Sequence, residues 1–126
     1  MTNLLLDTNI LLWIFLGDKR VDSIKELISS REVDVFVSVV SLWEIVIKNR
    51  KEKLNVDIEE ISKLMKKYDF FELPITSIYL KEYQKLPQLH KDPFDHMLIA
   101  QAIACPMHLI TSDDFLAKYS SLVMVI

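Results

Sequence analysis

Leu4-Leu5-Leu6-Asp7-Thr8-Asn9 runs three apolar residues into a carboxylate, and Leu109-Ile110-Thr111-Ser112-Asp113 ends a second apolar run the same way near the other end of the chain. Each stretch reads as a short buried strand with an acid just past its last residue. Strands of this kind, separated by longer helical patterns, imply a parallel sheet covered by helices. In such a sheet the crevice beyond the carboxyl ends of the strands is the usual ligand site. The two aspartates therefore stand where chemistry is expected.

Working outward, strands are predicted at residues 3–6, 35–37, 70–73, 108–111 and 122–126. Helices are predicted at 8–16, 22–29, 41–50, 57–68, 77–86 and 93–104, with a short one at 114–119. Several starts carry capping signals: Ser41 stands three residues before Glu44, Asp57 three before Glu60, and Asp92-Pro93 puts proline at the first helical position. The result is an α/β class with a central parallel sheet of about five strands, built as a single domain over 1–126. A chain of 126 residues can bury a core without disulfides or a structural metal. The single cysteine, Cys105, reads as a small core residue.

Other classes are excluded by what the chain lacks. One glycine, Gly17, cannot make a glycine-rich phosphate loop. No run approaches the ~20 apolar residues of a membrane span, so a soluble, cytoplasmic protein is expected, with no membrane partner. A net charge of −3 argues against broad nucleic-acid binding but not against a metal-assisted site. The basic run from Lys48 to Lys53 and the pair Lys66-Lys67 read as solvated helix ends.

Glu44 and Asp95 join Asp7 and Asp113 as candidates, because both open apolar helices. Each has a bland alternative. Asp7 is also a natural N-cap, Glu44 could close a capping box on Ser41, and Asp95 favours the helix dipole at the third helical position. Asp95 nevertheless shares a stripe with Leu98, Ile99 and Ala102, where an unpaired carboxylate is costly. Of Asp113 and Asp114, one is expected to cap the short helix, and Asp113, nearer the strand end, to face the pocket. Asn9, Thr111 and Ser112 are candidates for orienting the acids. Four converging acids suit a hard divalent cation such as Mg²⁺ and phosphodiester hydrolysis by a metal-activated water. His90 and His96 read as surface histidines and not as zinc ligands. Trp13, Phe15, Leu16, Trp43 and Ile47 offer more apolar surface than a small core needs, either as packing or as a partner groove.

Taken together, Leu5 to Asn9, Ser41 to Ile45, Asp92 to Ala102 and Leu109 to Asp113 resemble the PIN-domain family, specifically VapC-type toxins. The resemblance spans essentially the whole chain. It implies a Mg²⁺- or Mn²⁺-dependent endoribonuclease acting on RNA, commonly a homodimer, restrained by a cognate antitoxin. Its acidic residues map to Asp7, Glu44, Asp95 and Asp113, with Asp7, Asp95 and Asp113 as metal ligands. The chain departs from the family pattern at His96 and Ser112, where arginine is frequent. A phosphoryl-transfer receiver or aspartate phosphatase fits poorly, since Ser38 follows the strand 35–37 and Asn9 stands two residues after Asp7. A non-catalytic binding module of the same fold and a structure-specific nuclease in RNA or DNA processing are the alternatives to a toxin.

Overall fold

The computed structural model describes residues 2–126. Five strands, β1 (Thr2–Leu6), β2 (Val33–Ser38), β3 (Phe71–Leu73), β4 (His108–Thr111) and β5 (Val123–Val125), form one wholly parallel sheet in the order β3-β2-β1-β4-β5. The chain builds outward from β1 on one side and then returns to start β4 on the other. That reversal makes the gap between β1 and β4 the switch point of the sheet. Asp7 follows β1 and Asp113 follows β4, so the two acids flank it.

Six helices cover the sheet: α1 (Thr8–Leu16), α2 (Lys25–Ser29), α3 (Val39–Arg50), α4 (Ile58–Lys67), α5 (Ser77–Lys85) and α6 (Pro93–Ala104). The period of two along each strand divides the core. Leu4, Leu6, Val35, Val37 and Ile110 face one way, against Ile10 and Leu11 of α1, Ile45 of α3 and Ile61 of α4. Leu5 and Leu109 face the other, with Leu73, against Leu98, Ile99 and Ala102 of α6. Cys105, half-buried at the C-cap of α6, packs beside this second cluster. Among the described residues no helix is long and apolar enough to cross a membrane.

Three local expectations are corrected. Residues 19–24 are a 3₁₀ stretch and only Lys25–Ser29 is α-helical, in place of one helix over 22–29. Asp18 causes this: its carboxylate accepts the Arg20 N–H at 2.9 Å and starts the turn early, directly after Gly17 ends α1 in the left-handed conformation at φ 67°. Helix α3 starts at Val39, not at residue 41, because Ser38 is the cap and accepts the Val40 N–H at 3.1 Å. Asp114 to Lys118 is also 3₁₀, and its cap is Asp113 itself.

Not all of the surplus apolar surface is surface. Trp13 and Phe15 pack on the core, with Arg20 lying 3.9 Å over the Trp13 ring, and Ile47 is half-buried, whereas Leu16 is 64% exposed and Trp43 54% exposed. Leu5 has no exposed surface, so truncating it leaves a cavity in the core. Leu5→Ala is expected to lower unfolding free energy by about 2–5 kcal/mol in urea titration, whereas Leu16→Ala should move it by less than about 0.5 kcal/mol.

Candidate metal centre

Asp7 is both a cap and a pocket residue. Its Oδ1 accepts the Thr8 N–H at 2.7 Å, closing the first turn of α1, and its Oδ2 accepts the Thr111 hydroxyl at 2.7 Å. The same Thr111 oxygen accepts the Asp113 N–H at 3.1 Å. One hydroxyl on β4 thus fixes the acid after β1 and the backbone of the acid after β4. Of the residues considered for orienting the acids, Asn9 is exposed in the first turn of α1, and Thr111 is the one that bonds Asp7. Ser112 makes no side-chain hydrogen bond among the described residues.

The alternative role of Glu44 in a capping box on Ser41 does not arise, since Ser38 rather than Ser41 caps α3. Thr8 Oγ1 lies 2.7 Å from Glu44 Oε1 and 3.0 Å from Ser41 Oγ. A hydroxyl has one proton, so Thr8 donates to the carboxylate and Ser41 donates to Thr8. Lys48, one turn on, pairs with the other Glu44 oxygen at 3.1 Å. Glu44 is therefore held at the pocket rim by residues from two helices.

Asp95 lies in the first turn of α6, whose cap Asp92 accepts the N–H groups of Phe94 at 2.9 Å and Asp95 at 3.4 Å. Its own Oδ2 lies 2.9 Å from His90 Nε2. Asp113 spends one oxygen on the Phe115 N–H at 3.0 Å, so it is at once the cap and the pocket acid. Asp114, the expected cap, is exposed. Donor atoms of His90, Asp95 and Asp113 all lie within 4.8 Å of one another, and Asp7 and Glu44 fall outside this triplet. His90 is thus half-buried and inside the pocket, which corrects its reading as a surface residue. His96 is also half-buried: its Nε2 lies 3.0 Å from the Tyr119 hydroxyl, a packing role. Nothing in the sequence around His90 announced its position, because it sits in the loop between α5 and α6.

The electrostatics are those of an acid cluster short of positive charge. Burial raises the Asp7 carboxyl above its ordinary 3.8, against the opposing hydrogen bonds from Thr111 and Thr8, and the Glu44 and Asp92 charges push the same way. Asp95 is pushed up to about 7, first by burial, then by the charges of Asp7 and Asp92, with His90 only partly offsetting them. Hard oxygen donors that resist ionising together fit a divalent cation, which would relieve the repulsion on entry. Asp95 and Asp113, whose donor atoms share the 4.8 Å triplet with His90, would hold it, with Asp7 close enough for its charge to reach Asp95 and Glu44 at the margin.

A consequence for stability follows from Asp95. Its carboxyl binds a proton more tightly in the folded chain than in the unfolded one, so its contribution is full below about pH 4 and is lost as pH rises to about 7. Without metal, Asp95→Asn is therefore expected to melt above the parent at pH 8 and level with it at pH 4. Saturating Mn²⁺ at pH 8 should raise the parent's Tm and leave the variant's nearly still. Equal melting of parent and variant at both pH values would contradict the charge balance described.

Solved structures that share this architecture include three from bacterial toxin-antitoxin systems. VapBC2 from Rickettsia felis bound to a DNA fragment from their promoter matches with a TM-score of 0.70 at 16% identity, covering 99% of this chain and 98% of that one. A toxin-antitoxin complex from Klebsiella pneumoniae matches at 0.68 and 21% identity over 96% and 95%. DNA-bound VapBC from Salmonella typhimurium matches at 0.71 and 14% identity over 100% and 98%. At these identities the likeness is one of fold. No curated protein sequence matches significantly. The family model described as PIN domain matches residues 4–122, nearly the whole chain. With five parallel strands, six helices and acids gathered at the sheet's switch point, the chain belongs to the PIN domain family.

Proposed function

We propose that this protein is a divalent-metal-dependent endoribonuclease, the toxin of a toxin–antitoxin pair, working in the cytoplasm with Mg²⁺ or Mn²⁺. The observation that carries the proposal is the gathering of Asp95 and Asp113 with His90 within 4.8 Å, beside Asp7, whose charge reaches Asp95, with both Asp7 and Asp95 held above the ordinary carboxylate range. A bound divalent cation supplies a means of ionising water near neutral pH and of neutralising charge that develops on a cleaved phosphodiester.

The chain's own residues prepare for that chemistry. Thr111 orients Asp7 and the Asp113 backbone together. Thr8 and Lys48 hold Glu44 at the rim, where its free lone pairs can position an attacking water or accept its proton. The N-termini of α1 and α6 both open onto the pocket and favour negative charge there. No covalent nucleophile is needed.

Two features support protein partners. Trp43, packed edge-on against Phe94 at 5.2 Å, lines an apolar groove of about 240 Å³ with Val40, Ile75, Leu80 and Met97. Exposed apolar surface of this kind is commonly covered in an assembly. A homodimer and a cognate antitoxin are the partners proposed, in keeping with the fold shared with the VapBC and toxin-antitoxin structures. RNA is the proposed substrate.

The test is cleavage of a mixed pool of structured RNAs by purified protein with Mg²⁺, Mn²⁺ or EDTA. Cutting is expected with either metal and none with EDTA. Asp7→Asn should lower the rate by about 100-fold or more, with the fold intact because asparagine caps α1 nearly as well. Thr111→Val, which removes only the hydroxyl that orients Asp7, should cost about 10–100-fold. Cutting that survives EDTA or Asp7→Asn would overturn the assignment.

A further inference from the structure

The loop between α5 and α6 carries a nitrogen donor into a pocket otherwise built from carboxylates. His90 Nε2 lies 2.9 Å from Asp95 Oδ2, and it shares a 4.8 Å neighbourhood with donor atoms of both Asp95 and Asp113. The imidazole is held in place by the Phe115 ring, tilted at 5.4 Å, and by the His96 ring, edge-on at 6.2 Å. His90 also lines a cavity of about 670 Å³ with Tyr83, Gln84, Gln88 and Lys91, so solvent can reach the ring.

We propose that His90 is a nitrogen ligand of the divalent-cation centre, and that it makes the centre select a transition-metal ion such as Mn²⁺ over Mg²⁺. The inference rests on the metal-dependent reading of the acid cluster and names which cation that cluster takes. Three observations carry it. The 2.9 Å between His90 Nε2 and Asp95 Oδ2 is the spacing of two adjacent ligands on an octahedral ion with bonds of about 2.1 Å, whose edge is about 3 Å. Asp113 belongs to the same triplet, although a histidine serving only as a hydrogen-bond partner of Asp95 has no need of it. Imidazole suits the later divalent metals, whereas Mg²⁺ demands oxygen and sheds its waters reluctantly, so one nitrogen among carboxylates shifts the preference toward the transition series.

The His90 and Asp95 atoms face each other across a hydrogen bond. On cation entry both present lone pairs to the ion, and any proton between them goes to solvent. The His90 side chain is 28% exposed and that of Asp95 15%, so the donor pair is partly desolvated before the ion arrives.

The experiment uses the full chain loaded with Mn²⁺. Electron spin-echo envelope modulation reads nitrogen coupled to the ion, and calorimetry gives Kd for Mn²⁺ and for Mg²⁺. The parent is expected to show ¹⁴N coupling. His90→Gln should lose that coupling and weaken Mn²⁺ by at least about 10-fold while leaving Mg²⁺ nearly unchanged. His90→Asp, which restores a donor but as oxygen, should bind Mg²⁺ at least as well as the parent and show no ¹⁴N coupling. Circular dichroism checks that each variant is folded, and with two variants the proposal does not hang on either one.

Mn²⁺ bound without ¹⁴N coupling in the parent, or a Mn²⁺-to-Mg²⁺ ratio that both variants leave unchanged, would overturn the role of His90 and leave the acid cluster as the metal site. Failure of the parent to bind either ion would overturn the metal-dependent reading together with it.

Discussion

Asp7 and Asp95 share one partly dry space at the carboxyl edge of the sheet, and the chain supplies too little positive charge to answer them. Lys48 is engaged with Glu44, His90 with Asp95, and Asp7 has no ion-pair partner among the described residues. Folding must hold these groups together against desolvation and mutual repulsion, both of which raise their pKa values. The rest of the molecule can be understood as what makes that arrangement tolerable: a rigid sheet of buried leucine, isoleucine and valine, two helix N-termini directed at the acids, and threonine hydroxyls placed between them. Carboxyl groups perturbed in this way cluster at functional sites.

Topology decides which acids meet. Because the strand order reverses at β1, the residues just after β1 and β4 become neighbours although more than 100 positions separate them, as in the Thr111 to Asp7 hydrogen bond with its separation of 104. Thr111 is the last residue of β4 and fully buried, so its hydroxyl has a fixed direction. Thr8, buried at the first position of α1, links that helix to Glu44 on α3 in the same manner. Two short polar side chains, each at a strand or helix end, thereby tie the acids to a core that is otherwise apolar.

The sheet was legible in the sequence because its strands are short apolar runs ended by acids or turns, and the helix periods between them are clear. Asp7 and Asp113 could be placed for the same reason, since a carboxylate one or two residues past a strand lies at the sheet edge. Asp95 could be read from its place on an inward stripe above Leu98, Ile99 and Ala102, all three of which are buried. The misreadings share a cause. Ser38 and Ser41 are equally plausible caps by local chemistry, and only the length of β2, which runs through Ser38, decides for the earlier one. Glu44's real partner, Thr8, is 36 residues away, beyond any local pattern. His90 lies in a loop, where no periodicity indicates which way a side chain faces. Contacts set by tertiary packing, rather than by propensity, are what the sequence withheld.

The central claim is that these carboxylates form a divalent-cation centre. Crystals of the protein soaked in Mn²⁺ and measured for anomalous scattering test it most directly. The account predicts a manganese peak among Asp7, Asp95 and Asp113, lost when the same soak is made with Asp95→Asn crystals. A structure at saturating Mn²⁺ with no peak in this pocket, and the acids still bonded only to Thr8, Thr111, Phe115 and His90, would contradict it.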